Sequence, residues 1–502
     1  MVYPHAYRTE HSETQTTSGS YGAYFLVKQS MKIKIQPALL KIIQFIDSNR
    51  KNFLKDLEHA VKIRSITTDI QYRSDGKKMI KFIEDWLVKL DLRYECFNIG
   101  FYNLNGQKVR IPPVILASLG NDPNKYTVAA YMHADVPDPK GKPWKTDPWT
   151  LTEIDQFFYG NGAGCGKGPL MCWLHVIQAF RFHKMPLPVN LRLVIEMMHH
   201  QNSLGFSSFV ATRRQDFFNS VDYVIECDGE WLGPKCPCII YGTVGVLHFE
   251  MTIEAVPDSK TDIKEDMIKI FETIVDEKNN IIIPNFSDMV EQITPDEERM
   301  YEKINEFNID EIRDSLPPHK KSWDQVRLLM SLWRLPQIFI DDIDECICDK
   351  KDMNIVKRHF IVKIVPRQII DKTEERIQNH IKNVIKTLNI NNRVTCKLLR
   401  STRTWIENPG SHNFQAARKA MIQIYKQDPN LIREDRGRES PTVFDSVLEK
   451  NIVMVPLCSK NSNQAEANES ISARCYYEGT KLLAAYMFQL AEKPKSKTHL
   501  KS

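Results

Sequence analysis

No apolar run in the 502-residue chain approaches the ~18–20 residues that a membrane-spanning helix requires, so the sequence offers no transmembrane segment and no membrane partner. Charge of one sign is scarce as well. Lys+Arg number 68 against 63 Asp+Glu, and the balance of +5 is too thin over this length to mark a nucleic-acid partner. Phosphate-cradling signatures are missing: the glycine-rich stretch 160–168 matches neither G-x-x-x-x-G-K-[ST] nor G-x-G-x-x-G. The eleven cysteines, Cys96, Cys165, Cys172, Cys227, Cys236, Cys238, Cys346, Cys348, Cys396, Cys458 and Cys475, form an odd and scattered set. That fits reduced intracellular thiols and argues against a disulfide scaffold. Cys236-Pro237-Cys238 and Cys346-Ile347-Cys348 lack the second pair that a zinc ribbon needs. The N-terminal residues are rich in Tyr, Thr, Ser and His and carry no small-residue cleavage site. Residues 1–33 therefore read as a disordered extension rather than a signal peptide, and a cytoplasmic protein is expected.

What is present is a large amount of core-forming sequence, 42% hydrophobic, enough for two to four domains at roughly 100–200 residues each. Apolar residues recur at helical spacing from Pro37 to Val61, with a break expected at Asp47-Ser48-Asn49. Short β-type runs follow at 127–132, 190–198 and 223–226, with a helical pattern at 170–180 between the first two. Strands alternating with helices predict an α/β fold around a mostly parallel sheet, in which ligands sit beyond the C-terminal strand ends. The residues just past those ends are His133-Ala134-Asp135, His199-His200 and Cys227-Asp228. The texture changes near Tyr241: alternating strands at 246–253 and 359–365 surround charged helices at 262–277 and 373–388, an inserted α+β domain. The expected plan is a catalytic-type α/β domain at 34–241 and 397–492, an insert at 242–396, and a basic tail at 493–502.

The densest information lies between Met132 and Trp173: Met132-His133-Ala134-Asp135-Val136, Asp147-Pro148-Trp149-Thr150-Leu151, and Tyr159-Gly160-Asn161-Gly162-Ala163-Gly164-Cys165-Gly166-Lys167-Gly168-Pro169. These resemble the G-H-x-D-V, D-P-F-x-L and Y-G-R-G-x-x-D-x-K-G-P motifs of the carnosine dipeptidase and cytosolic non-specific dipeptidase branch of the dizinc metallopeptidases. Further matches follow in order at Leu187-Pro188-Val189-Asn190, Asp228-Gly229-Glu230-Trp231-Leu232-Gly233, Pro237-Cys238-Ile239-Ile240-Tyr241-Gly242 and Glu478-Gly479-Thr480-Lys481. The resemblance implies a zinc-exopeptidase-like catalytic domain with an inserted lid and dimerisation domain, a homodimer, small peptide substrates and a two-zinc centre. In that chemistry two zincs share a bridging carboxylate and a water, which a glutamate deprotonates for attack on the peptide carbonyl.

Residue by residue, the resemblance makes His133 and Asp228 ligands of the first zinc and Asp135 the carboxylate that orients His133. The other positions have changed. Cys165 replaces the bridging aspartate, and His199-His200 replace the glutamate pair of catalytic base and second-zinc ligand. Ala465 stands at the C-terminal histidine position, with Glu466 the nearest substitute. A sulfur on a short arm joins one zinc, at about 2.3 Å, more easily than it bridges two. The second site is therefore expected to be empty, leaving one zinc on His133, Asp228 and Cys165 or none. His199 can serve as a base at neutral pH, but in a regular strand His199 and His200 point to opposite faces, so both enter the cleft only if the strand ends there. In the insert, the histidine that reaches the substrate across the dimer corresponds to Lys260 or has been removed by a deletion, and the lid arginine corresponds to Lys363, which keeps the charge but loses the bidentate fork. The loop Arg433-Glu434-Asp435-Arg436-Gly437-Arg438-Glu439-Ser440-Pro441 carries bulky charges where relatives have glycines. The reading these changes favour is a pseudoenzyme. A mononuclear-zinc hydrolase with His199 as base and a metal- or thiol-based binding protein are its alternatives.

Overall fold

In the computed structural model, residues 35–104, 106–257, 259, 261–314, 320–341, 355–366 and 368–495 are described. The N-terminal extension, Lys260, Cys346, Cys348 and most of the basic tail lie outside them.

The expected break near Asn49 separates two helices, Pro37–Ser48 and Arg50–Val61, whose Leu39, Ile42, Ile46, Phe53 and Leu57 line one buried stripe. The strand Thr127–His133 is buried at every residue, and the helices Lys167–Phe182 and Ala473–Ala491 that cover the sheet are buried at most of theirs. The sheet they cover is mixed. Asn190–Glu196, Thr127–His133, Tyr223–Glu226 and Asn451–Met454 run parallel in its middle. Val114–Leu119 and Arg93–Phe97 continue it antiparallel on one side, and Cys238–Thr243 on the other, with Asn430–Glu434 parallel to the last. The parallel strands share one C-terminal edge, where the register sets His133 beside Glu196 and Glu226 beside Met454.

A second, four-stranded antiparallel sheet, in the order Gln337–Ile340, Ile355–Ile364, Gly245–Glu254 and Arg393–Thr402, is built mostly from the expected insert, its last strand running past the expected boundary at 396. Gly245–Glu254 alternates buried and half-buried residues, as a strand with one covered face must. Its inward side chains Leu247, Phe249, Met251 and Ile253 pack with the helices Ile263–Phe271 and Ile370–Thr387 in a core of their own. The helices Pro295–Glu302 and Gln325–Trp333 behave differently: Met300, Tyr301, Leu328, Leu329 and Trp333 join the larger core, and buried Arg433 holds Glu297 at 2.6 Å. No helix among the described residues is long and apolar enough to cross a membrane.

Candidate functional site

Three parallel strands end side by side and bring polar side chains to one point. Thr127–His133 closes on His133, Asn190–Glu196 runs on to His199 and His200, and Tyr223–Glu226 runs on to Asp228. The second strand ends before the histidine pair. Met198 leaves extended geometry (ψ 18°) and His199–Gln201 form a 3-10 turn. Buried Asp135 accepts the backbone N–H of His199 at 3.2 Å and of His200 at 2.9 Å, which fixes the turn and sends both rings to His133. His199 stacks on it with centroids 4.0 Å apart and planes 13° from parallel, and His200 meets it edge-on at 5.3 Å. Glycine is required at 166, where φ is +77° and a Cβ would lie 2.7 Å from His133 Cε1.

Cys165, 4% exposed, sets its Sγ 3.3 Å from His133 Nε2 and 3.6 Å from Asp228 Oδ1. Its loop hangs on Glu469, a buried carboxylate that accepts the N–H groups of Gly162 (3.1 Å), Gly164 (2.9 Å) and Cys165 (2.8 Å). Asp228 accepts the Gly229 N–H at 2.8 Å through Oδ1. Its Oδ2 faces His199 Nε2 at 3.3 Å and also receives Nη1 of Arg438. The same guanidinium forks onto Glu434, Nε to Oε2 at 3.0 Å and Nη2 to Oε1 at 2.7 Å. Behind the site, burial raises two more carboxyls, Glu196 to about 7 and Glu226 to about 8. They accept Ser203 Oγ at 2.6 Å and Ser440 Oγ at 2.8 Å.

Charge follows this geometry. Burial raises the Asp228 carboxyl, but Arg438 first, then His199 and His133, outweigh burial and hold it far below the usual carboxylate range. Asp135 is likewise raised by burial and lowered more by the three histidines. Its Oδ1 lies 3.3 Å from His133 Nδ1 without hydrogen-bond alignment, so we read their coupling as charge rather than a directed bond. Burial lowers His133, yet Asp135 and Asp228 leave it above the ordinary imidazole value. Burial and the neighbouring His133 drive His199 well down, and burial brings His200 to about 4. Burial, then Asp228 and Glu469, push the Cys165 thiol well up.

Among the described residues, two groups of side chains have potential ligand atoms within 4.8 Å of one another: His133, Cys165 and His200, and His133, His199 and Asp228. The first fits zinc. Two imidazoles and a thiolate are an accepted donor set, and the buried His200 Nε2 has no hydrogen-bond partner. The second does not fit, because the guanidinium already on Asp228 Oδ2 repels a dication. The sequence grouped Asp228 with Cys165 and His133 around one zinc; Cys165 Sγ lies 3.6 Å from Asp228 Oδ1, His200 joins Cys165 and His133 in the first group, and Arg438 takes Asp228 Oδ2. The cavity lined by Tyr131, His133, Gly166, Pro169, Cys227 and Asp228 holds about 10 Å³, room for roughly one water.

The remaining sequence candidates lie apart from this cluster. Ala465, at φ +62°, offers its carbonyl to Lys142 Nζ at 3.0 Å, and exposed Glu466 pairs with the same ammonium at 2.9 Å. Lys363 is buried on the second sheet, donates to the Leu332 carbonyl at 2.9 Å, and is lowered by burial to about 8. Sequence reasoning missed Glu469 and the role of Arg438. The signal available for Arg438 was the replacement of glycines by bulky charges in its loop.

Residues 129–489 match the sequence profile of peptidase family M20/M25/M40. The Beta-Ala-His dipeptidase of Homo sapiens is 30% identical over 475 residues, covering 91% of this chain and 94% of that protein. The Cys-Gly metallodipeptidase dug1 of Schizosaccharomyces pombe is 28% identical over 471 residues, 90% of this chain and 98% of its own. Among solved structures, human carnosine dipeptidase 1 superposes with a TM-score of 0.81 at 29% identity, over 92% of this chain and 100% of that one. The dipeptidase Dug1p of Saccharomyces cerevisiae gives 0.80 at 26% identity, over 91% and 99%.

Proposed function

The chain belongs to peptidase family M20/M25/M40 as a dipeptidase-like member, and on that premise we propose that it is a pseudoenzyme, which keeps the scaffold and has lost two-metal peptide hydrolysis. The observation that carries this reading is the surroundings of His199, whose two ring nitrogens face protein groups. Nδ1 lies 3.1 Å from the Tyr131 hydroxyl and Nε2 lies 3.3 Å from Asp228 Oδ2. A general base needs a lone pair aimed at the water it deprotonates, and this ring instead turns its two nitrogens to Tyr131 and to the carboxylate that Arg438 holds. It also lies flat on His133, and the adjoining cavity of about 10 Å³ has room for roughly one water.

The metal content that follows is at most one ion per chain. His133 Nε2, Cys165 Sγ and His200 Nε2 would hold it, and zinc bound there would supply a Lewis-acid charge. The free His200 Nε2 also favours a second reading, a single-zinc hydrolase. The two are separated by purifying the chain without added zinc, counting metal before and after loading, and assaying a panel of dipeptides. We expect no hydrolysis above background, and His200→Ala to remove whatever zinc binds. Turnover that disappears in His199→Ala would establish the second reading and end the first.

Small peptides remain the ligand class on this proposal, bound without cleavage. We also place the protein in the cytoplasm, supported by nine free cysteines among the described residues. A homodimer through the insert is supported by the outer strand Arg393–Thr402, which leaves Leu399 46% exposed. Sedimentation of the purified chain tests the dimer.

A further inference from the structure

We propose that Arg438 is the resident cation of this centre: its guanidinium neutralises Asp228 as a permanent part of the fold and closes that carboxylate to a divalent ion.

Arg438 is 8% exposed and is bonded through all three nitrogens, Nε and Nη2 on Glu434 and Nη1 on Asp228. The two carboxylates come from different strands. Glu434 ends Asn430–Glu434, and Asp228 lies just past Tyr223–Glu226. Arg438 stands at the N-terminal boundary of the helix Glu439–Leu448, so ordinary secondary structure aims the guanidinium. Arg436 adds a second cation from the rim, 3.7 Å from Glu434 Oε1 and 3.0 Å from Glu230 Oε2.

A carboxylate buried as Asp228 is, 5% exposed, stays ionised only beside a cation. A divalent metal is one solution and a guanidinium is another. The guanidinium keeps its charge at every accessible pH, needs no ligand deprotonation, and matches the planar carboxylate with directed N–H donors. Here it also brings a second carboxylate, Glu434, which compensates its own burial. A metal approaching Asp228 Oδ2 would have to displace an arginine anchored at both ends, and that displacement would strand Glu434. The electrostatic role survives while the Lewis acid does not, because a guanidinium presents hydrogens rather than an open coordination position.

The inference shares its site with the pseudoenzyme reading but is tested separately, by zinc counting and melting rather than by hydrolysis. In the full-length chain, Asp228→Asn is expected to lower Tm and to leave the number of tightly bound zincs equal to the wild type's. Loss of a bound zinc in Asp228→Asn would overturn the proposal, as would two zincs per wild-type chain. Arg438→Ala is expected to lose Tm in metal-free buffer, to take up one zinc more per chain than the wild type, and to regain Tm with added zinc. The double variant with Asp228→Asn should show neither gain. Arg438→Ala that folds and takes up no additional zinc also overturns it. If that variant does not fold, the wild-type count and Asp228→Asn decide. Dipeptide hydrolysis by a wild type whose zinc is untouched by Asp228→Asn would end the pseudoenzyme reading and leave Arg438 as the resident cation.

Discussion

His199 and His133 stack face to face at 4.0 Å, so the imidazole at the base position packs against the imidazole at the first-ligand position. Restoring the residue types of the resembling dipeptidases removes that stack but leaves the guanidinium of Arg438 on Asp228. The combination Cys165→Asp, His199→Glu, His200→Glu and Ala465→His is expected to stay inactive, because Arg438 still holds Asp228. Adding Arg438→Ala to those four is expected to produce zinc-dependent dipeptide hydrolysis, read as amino acid release. Activity in the fourfold variant would show that Arg438 is no barrier.

Glu469 is the strut of the loop that carries Cys165. Glu469→Ala leaves three N–H groups, of Gly162, Gly164 and Cys165, without their acceptor. At 1–3 kcal/mol for each buried group left unpaired, the loss is expected to be about 3 kcal/mol or more by urea denaturation. Glu469→Gln keeps one oxygen, able to accept two of the three, and is expected to lose markedly less. Equal losses in the two variants would place Glu469's contribution in packing rather than in those bonds.

The parts of this centre legible in the sequence are those carried by short motifs at strand ends. His133, Asp135 and Asp228 stand at the ends of apolar runs whose parallel pairing the α/β pattern implies, and the structure brings them together. The His199-His200 pair could be read only conditionally, since everything depended on where the strand stops. The stop is set by Asp135, 64 residues away, whose carboxylate takes both backbone N–H groups. Arg438 and Glu469 were beyond reach for a related reason: they act across 210 and 304 residues of sequence, with no periodicity or spacing that links them to their partners. A basic residue in a loop reads as a solvated surface until the fold turns it inward. The insert shows the same limit, since nothing in the pattern of 295–333 says that Met300 and Trp333 will join the larger core.

Cys165 is expected to be a poor target for alkylation in the folded chain. The residue is 4% exposed, and burial with Asp228 and Glu469 keeps it a thiol rather than the reactive thiolate. Iodoacetamide at pH 8 should mark it only after unfolding, as peptide mass spectrometry would show. Labelling of the native protein at the rate of a free thiol would revive the thiol-based binding reading.

Lys363 supplies a pH dependence that belongs to the insert rather than to the histidine cluster. Burial lowers its ammonium from 10.5 to about 8, so the folded chain holds this proton less tightly than the unfolded chain does. Folding then releases it, and the Lys363 contribution to stability rises as pH goes from about 8 toward 10.5, at up to about 1.4 kcal/mol per unit. Below about 8 the buried ammonium is a constant cost, offset in part by its bond to the Leu332 carbonyl. Lys363→Met removes both the charge and the bond. The stability of the wild type minus that of the variant, from urea denaturation at pH 7, 8, 9 and 10, is therefore expected to be flat at first and then to climb in favour of the wild type. A difference that stays level across that range would mean that Lys363 is hydrated and titrates as an ordinary surface lysine.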